Sequence, residues 1–192
     1  MKSAICVHHR GRAVLSEHLG ELHNPASFRN FLGAVERLPR LLGRRPTCIA
    51  CDMHPNYAAT LWARNQPLPV RRIQHHHAHV VAGLLDNGLR GEVVGVACDG
   101  TGYGPDGTIW GCEVLHCDEA AFRRAGHLRP FGQVSGDLEA VETWRPAFGL
   151  LYDAHGDRWR GTVAHALQRV GDGALRIAEQ RLAADGLRTT SL

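Results

Sequence analysis

Gln74-His75-His76-His77-Ala78-His79 contains four imidazole side chains within five consecutive residues. Residues 68–73, directly before it, are mostly apolar and β-branched with two arginines, which predicts a short strand. Residues 78–89, directly after it, carry apolar side chains at helical spacing. The histidines are therefore expected at the junction between a strand and the helix that follows it.

The spacing of the first and last of these histidines indicates a metal site. His75 and His79 are four residues apart, which places both rings on one face of a helix. Two such imidazoles can share a zinc or iron ion, although a third ligand, usually a carboxylate, is needed and the sequence does not reveal it. Either His76 or His77 is a candidate for contact with a substrate. The alternative is a solvated, polar helix start.

Length and composition indicate a globular α/β protein. The chain has 192 residues, enough for one large domain or two small ones, with 44% hydrophobic and 21% charged residues. The net charge is only +3, and Lys2 is the one lysine among 22 basic residues. This balance does not indicate a nucleic-acid-binding surface.

The cysteines are predicted to be reduced, buried small hydrophobes, since most lie in apolar, strand-like runs. The six are Cys6, Cys48, Cys51, Cys98, Cys112 and Cys117. The Cys48-Ile49-Ala50-Cys51 spacing suits zinc or a redox centre, but no second pair accompanies it. There is neither a signal peptide nor an apolar run long enough for a membrane span, so we expect a cytoplasmic protein that does not contact membranes.

The first part of the chain alternates strands and helices. Residues 3–7 and 13–22 predict antiparallel strands around a turn at Arg10-Gly11. Asn24 and Pro25 predict the start of a helix that ends near Gly43, with a possible bend at Pro39. Further elements are expected at residues 47–52 (strand), 56–64 (helix) and 69–73 (strand). Strands separated by helices favour parallel pairing in an α/β sheet.

A strand that ends in an acid and a glycine-rich segment follow. Residues 93–99 predict a strand ending at Asp99, and residues 100–107 predict a loop whose backbone N–H groups could surround an anion such as phosphate. The alternative is a plain hairpin loop. Residues 108–116 are expected to form a strand that pairs with residues 93–99 in a hairpin. A hairpin would thus begin an α/β unit here, as the predicted hairpin at residues 3–22 does at the start of the chain.

The last quarter of the chain carries no catalytic signal. A polar loop at residues 136–140 precedes a short helix that we expect Pro146 to interrupt. Beyond Ala154, apolar residues from Ala164 to Leu182 predict one or two amphipathic helices with a break at Gly171 and Gly173.

Four sequence motifs follow one another along the chain. They are Ala50-Cys51-Asp52-Met53-His54-Pro55, Gln74-His75-His76-His77-Ala78-His79, Cys98-Asp99-Gly100-Thr101-Gly102-Tyr103-Gly104 and Thr108-Ile109-Trp110-Gly111. In this order they resemble the HypF family of hydrogenase maturation carbamoyltransferases, within the C-terminal domain that is similar to tRNA threonylcarbamoyltransferases. The resemblance runs from about Lys2 to Tyr152.

The resemblance implies two ribonuclease H-like lobes of the actin and sugar-kinase type, with the active site between them. The first lobe, complete, would span residues 1–91 and hold the histidines. Residues 92–155 would form the start of a truncated second lobe and contain the Asp-Gly-Thr-Gly loop. Residues 156–192 would be a helical tail of unknown role.

The resemblance also implies a reaction and its site residues. Such enzymes use ATP and carbamoyl phosphate to make carbamoyl adenylate, then pass the carbamoyl group to the C-terminal cysteine of a HypE-like acceptor protein. His75 and His79 would hold a divalent metal, zinc or iron, and His76 and Asp99 would be catalytic. The nucleotide would lie near the glycine-rich segment, which consists of Gly100, Thr101, Gly102, Tyr103 and Gly104.

The chain also departs from the family pattern. We find neither the Ser-Gly-Gly nucleotide segment nor the Asp-Gly-Gly stretch expected to give the third metal ligand, and Cys112 stands where glycine is expected. We expect the tail after Ala154 to lie outside the family, because we can align it with none of the family motifs. We therefore expect the isolated chain to be inactive and to need separate chains that supply the missing parts. The alternative is a non-catalytic remnant that binds metal or a maturation partner.

Overall fold

A computed structural model describes residues 3–135, 138, 141–161, 167–184 and 188–189. The chain divides into two compact units, Met1–Ile73 and Gln74–Leu192, which we call the first and second unit. The histidine-bearing segment thus groups with the strands that follow it, whereas the predicted lobes meet at residue 91. None of the described helices is long and apolar enough to cross a membrane.

The first unit opens with a hairpin. Strands β1 (Cys6–His9) and β2 (Arg12–Leu15) pair antiparallel, with Cys6 opposite Leu15. Arg10 and Gly11 form the turn, with φ values of 47° and 76°. Positive φ at both central positions gives the turn the twist that matches two antiparallel strands. The predicted turn and antiparallel pairing are confirmed, but β2 ends at Leu15 and does not continue to Leu22 as predicted.

Helix α1 (Pro25–Leu41) supplies much of the core of the first unit. The Asn24 side chain accepts a hydrogen bond of 2.8 Å from the Ala26 N–H, so the predicted cap is confirmed. The helix continues past Pro39 to Leu41. Leu19, Phe31 and Ala34 form a buried core cluster in this unit.

A parallel strand pair completes the first unit. Strand β3 (Ile49–Asp52) lies beside β4 (Val70–Ile73), with helix α2 (Ala58–Arg64) between them in the chain. Asp52 is opposite Ile73 at the carboxyl end of the pair. The predicted parallel pairing is confirmed.

The second unit begins with helix α3 (His75–Asp86), which packs on a meander of three antiparallel strands. These are β5 (Val93–Tyr103), β6 (Ile109–Cys117) and β7 (Phe122–His127). The helix approaches closely at Gly95, where a Cβ atom would lie 2.5 Å from the Val80 methyl groups. Helix and strands therefore share one layered α/β unit.

The extent of the predicted glycine-rich loop is wrong. Strand β5 continues to Tyr103, because Gly102 and Tyr103 still pair with Trp110 and Ile109 on β6. The turn lies after Tyr103 and is closed by a hydrogen bond of 2.9 Å from the Gly104 N–H to the Thr108 carbonyl. Asp99 and its neighbours therefore belong to strand β5 and not to a loop.

The C-terminal segment is built into the second unit. Short strands β8 (Phe131–Gly132) and β9 (Arg188–Thr189) join the sheet, and helices α4 (Trp144–His155) and α5 (Asp172–Ala183) flank a 3₁₀ turn. Pro146 does not interrupt α4, because it lies in the first turn, where its missing N–H needs no partner. The predicted loop at 136–140 and the helical pattern near Ala164 fall largely outside the described residues.

A second core forms around these elements. It consists of Val134, Phe148, Trp159, Leu167, Leu175 and Ala178. Phe148 and Ala178 are fully buried, and the Phe148 and Trp159 rings meet edge to face at 4.9 Å. The tail is therefore a packed part of the second unit.

The prediction that the cysteines are buried is wrong for most of them. Cys117 is buried, whereas Cys6, Cys48 and Cys98 are exposed and the other two are intermediate. Apolar strands that are covered on one face only expose every second residue, which the composition of a run does not reveal.

Candidate metal site

Gln74 fixes the start of the histidine helix. Its side-chain oxygen accepts a hydrogen bond of 2.8 Å from the His77 N–H, which caps α3, and its amide nitrogen donates to the Tyr103 carbonyl at 3.5 Å. Gln74 is almost completely buried. The cap therefore ties the first turn of α3 to the end of β5.

Two of the four histidines are buried and contact backbone carbonyl groups. The His76 Nε2 atom lies 3.0 Å from the Gly111 carbonyl oxygen, and the His77 Nε2 atom lies 2.7 Å from the Asp118 carbonyl oxygen. Both side chains are buried, and burial lowers the pKa of His76. The His76 Nδ1 atom also contacts the Gln74 amide, so both of its ring nitrogens are engaged within the protein. Its predicted catalytic role stays a prediction.

The other two histidines meet a carboxylate. The His75 Nε2 atom lies 2.7 Å from the Asp99 Oδ2 atom and 3.2 Å from the His79 Nε2 atom. His79 Nε2 is in turn 3.3 Å from the same Asp99 oxygen. Three potential metal ligands, one on each residue, therefore converge within 4.8 Å of one another.

A β-bulge aims Asp99 at the helix. Cys98 pairs with Cys112, and the next pair is Gly102 with Trp110, so three residues of β5 oppose the single residue Gly111 on β6. Extra residues in a bulge change the direction of a side chain, often beside a functional site. Asp99 is the first residue of this bulge.

The carboxylate is held in its ionised form. Burial alone would raise the pKa of Asp99, but a hydrogen bond from the Gly100 N–H and the adjacent His75 ring together hold it below its usual value. The Gly100 hydrogen bond goes to Oδ1 at 2.7 Å and leaves Oδ2 for the two histidines. An ionised carboxylate beside two imidazoles is a donor set suited to a divalent metal.

The spacing of the three atoms fits a bound ion. Ligands arranged tetrahedrally at about 2.1 Å from zinc lie roughly 3.4 Å apart. The distances from His79 to His75 and to Asp99, 3.2 and 3.3 Å, agree with this value. The 2.7 Å contact of His75 with Asp99 is a hydrogen bond that would open slightly around an ion.

Gly102 allows the helix to reach the bulge. A Cβ atom at this position would lie 2.7 Å from the His76 Nδ1 atom and 3.0 Å from the His75 Cβ atom. Gly100, by contrast, has open space where its Cβ would be. Gly102, one of the glycines predicted to surround a phosphate, therefore permits close packing against the histidines.

A buried ion pair supports the carbonyl that holds His76. The fully buried Glu113 carboxylate accepts hydrogen bonds from Arg124 at 2.6 and 2.9 Å, and one of its oxygens accepts from the Gly111 N–H at 3.3 Å. The Arg124 guanidinium also stacks 4.1 Å from the centre of the Trp110 ring. The sequence interpretation missed this network, because no local pattern links residues on neighbouring strands.

The predicted site residues thus fall into two groups. His75, His79 and Asp99 come together, and a groove of about 370 Å³ runs beside His79 and Asp99. Thr101 and Tyr103 lie at the end of β5, half-buried, and the Gly104 N–H is used to close the turn. The sequence interpretation gave Asp99 a catalytic role but did not identify it as the third potential ligand beside the histidine pair, although its position at the end of an apolar strand was the available signal.

Two family models match most of the chain. Residues 1–86 match the family described as "HypF Kae1-like domain". Residues 95–191 match "Carbamoyltransferase, Kae1-like Domain, second subdomain". The chain belongs to the HypF family of carbamoyltransferases. Because the second match reaches residue 191, the expectation that the tail after Ala154 lies outside the family is wrong.

Individual HypF proteins resemble most of the chain. Carbamoyltransferase HypF of Synechocystis is 39% identical over 81% of the chain, and that of Rhodobacter capsulatus is 36% identical over 97%. The crystal structure of full-length HypF in its phosphate- and nucleotide-bound form superposes with a TM-score of 0.87 at 31% identity and covers the whole chain. The chain spans only 20%, 25% and 25% of these three proteins, respectively.

Proposed function

We propose that this chain is the part of a HypF-like carbamoyltransferase that binds a divalent metal and receives carbamoyl adenylate. The observation that carries the proposal is the convergence of His75 Nε2, His79 Nε2 and Asp99 Oδ2 within 4.8 Å. The phosphate and nucleotide named for the full-length HypF structure support a nucleotide substrate. In this proposal, zinc or iron is the metal, and Gly100 to Gly104 lie near the phosphates.

The acceptor supplies the nucleophile. The thiolate of a C-terminal cysteine on a HypE-like protein would attack the carbamoyl carbon, forming the S–C bond, and the C–O bond to AMP would break. A bound metal would act as a Lewis acid and neutralise charge that develops on the acyl-phosphate oxygens. His75, His79 and Asp99 would hold that ion, while the Gly100 N–H fixes the orientation of the Asp99 carboxylate.

Metal uptake by paired variants tests the site. We expect the His75→Ala/His79→Ala chain to bind zinc or iron(II) at least about 100-fold more weakly than the wild type, because two of three ligands are removed. His23→Ala, which changes an exposed histidine of the first unit, is the matched control and should bind normally. Equal uptake by the double variant would exclude this metal site.

A second candidate function is metal or partner binding without turnover. It is favoured by His76, the predicted catalytic histidine, because both of its ring nitrogens contact groups within the protein. Carbamoyl adenylate, generated from ATP and carbamoyl phosphate by a separate adenylate-forming domain, would be mixed with the chain and a peptide ending in cysteine. Carbamoylation of the peptide above the level of the double-histidine variant supports the enzyme. Transfer no faster than in buffer supports the binding role.

The remaining assignments belong to this proposal. The two units would be parts of ribonuclease H-like lobes of the actin and sugar-kinase type, with a lobe border near residue 91. The protein would work in the cytoplasm, together with a HypE-like acceptor and with separate chains that complete the site. Titration of the chain with the HypE-like acceptor, monitored by light scattering, tests whether the two proteins bind each other.

A further inference from the structure

Two cysteines lie directly opposite each other beside the metal ligands. Cys98 on β5 and Cys112 on β6 form a register pair of the antiparallel ladder, and their Sγ atoms are 2.6 Å apart. Opposed residues in such a ladder have Cα atoms about 4.5 to 5.5 Å apart, which is within the span that a disulfide bridges. Backbone and side chains are thus already placed for a bond.

The surroundings favour a disulfide over a shared metal. Among the described residues, neither thiol belongs to a cluster of three metal-binding side chains. Cys98 is exposed and Cys112 is partly exposed, so small thiol reagents can reach them, whereas Cys117 is buried. Exposed disulfides are the labile ones, which suits reversible rather than structural pairing.

We propose that Cys98 and Cys112 form a redox-active pair that closes reversibly into a disulfide across β5 and β6 and thereby fixes the bulge that carries Asp99. The bulge begins directly after Cys98, and its first residue is the ligand Asp99. A covalent bond at this point would hold the start of the bulge against β6. The inference goes beyond carbamoyl transfer, and its test needs neither metal nor activity.

The chemistry is thiol–disulfide exchange with a low-molecular-weight disulfide such as oxidised glutathione. The more exposed Cys98 thiolate attacks one sulfur of the reagent, which releases one small thiol and leaves a mixed disulfide on the protein. Cys112 then attacks the Cys98 sulfur and displaces the second small thiol. The protein loses two electrons and two protons, and the reagent is reduced to two thiols.

Mass spectrometry of the wild-type chain is the first test. After treatment with oxidised glutathione, we expect a species two hydrogens lighter, with two fewer alkylatable thiols than the six of the reduced chain. Dithiothreitol should restore all six. Accumulation of glutathione adducts on these cysteines without the lighter species would overturn the proposal.

The position of the bond is read from peptides. Trypsin keeps both cysteines in one peptide, because no basic residue lies between Arg90 and Arg123. Chymotrypsin cuts after Tyr103, Trp110 and Leu115, which places Cys98, Cys112 and Cys117 on separate fragments. The fragments with Cys98 and Cys112 stay joined only if a disulfide links those two residues. A crosslink between any other two cysteines would contradict the assignment.

Matched variants separate the two sulfurs. Cys112→Ser should lose the lighter species and retain glutathione on Cys98, whereas Cys48→Ser, which removes another exposed cysteine, should close as the wild type does. Closure in Cys112→Ser equal to that of the wild type would refute the pair. The oxidised chain should also exchange the amide hydrogens of residues 99–103 several-fold more slowly than the reduced chain, and equal exchange would contradict the link to Asp99.

Discussion

Gly100 and Gly102 lie in one short segment of β5, but their surroundings differ. The space beside Gly102 is occupied by His75 and His76, whereas the space beside Gly100 is open. Neither has the positive φ that favours glycine. The requirement at Gly102 is therefore steric, and it comes from the helix that packs there.

We expect Gly102→Ala to destabilise the second unit by about 1–3 kcal/mol, the usual cost of overpacking. The added methyl group would push the first turn of α3 away from β5 and separate His75 from Asp99. Zinc affinity should therefore fall at least about tenfold, a loss of about 1.4 kcal/mol. Urea unfolding and zinc titration measure the two effects.

Gly100→Ala is the matched control for this substitution. Its added methyl group meets no atom within 4 Å, so both stability and zinc affinity should stay close to those of the wild type. Equal losses in the two variants would mean that close packing at Gly102 does not position the histidines.

At the scale of elements, the β5–β6–β7 meander is held by charge as well as by packing. Glu113 on β6 is fully buried, and Arg124 on β7 donates to both of its carboxylate oxygens. Removing one partner of a buried ion pair leaves a charge with less compensation, which destabilises a protein more than loss of an exposed pair.

Arg124→Ala is therefore expected to lower the free energy of unfolding by about 3 kcal/mol. The loss includes the stacking of Arg124 on Trp110. Arg123→Ala, which removes the exposed neighbour on the same strand, should change stability by less than about 0.5 kcal/mol. Chemical unfolding, monitored by tryptophan fluorescence, measures the free energy of unfolding of both variants. Similar losses of stability in Arg124→Ala and Arg123→Ala would show that the buried ion pair contributes little.

At the scale of the whole molecule, metal binding should be linked to stability. A ligand that binds only the folded chain stabilises it by about 2.7 kcal/mol at a free concentration of 100 times Kd. We expect zinc to raise the calorimetric Tm of the wild type and a chelator to reverse the effect. The His75→Ala/His79→Ala chain should show no such rise, and an equal rise would place the stabilising ion elsewhere.

Much of the fold could be predicted from local patterns. The Asn24 cap with Pro25 marks the start of α1, the Arg10-Gly11 turn marks the first hairpin, and the helical spacing after Gln74 marks α3. These signals are local, because caps, turns and periodicity act within a few residues of the chain. The His75 and His79 pair was predictable for the same reason.

The chain's local chemistry was enough to set its helices, most of its strands and the histidine pair, because each depends on neighbours in sequence. Tertiary packing decided which distant groups meet. Asp99 joins His75 across 24 residues through a bulge, and Cys98 faces Cys112 because of strand register. Packing also buried His76 and left His79 at the groove, since the same residue type takes its role from the surface it faces. Distances between remote side chains depend on packing and register, which a linear pattern does not encode.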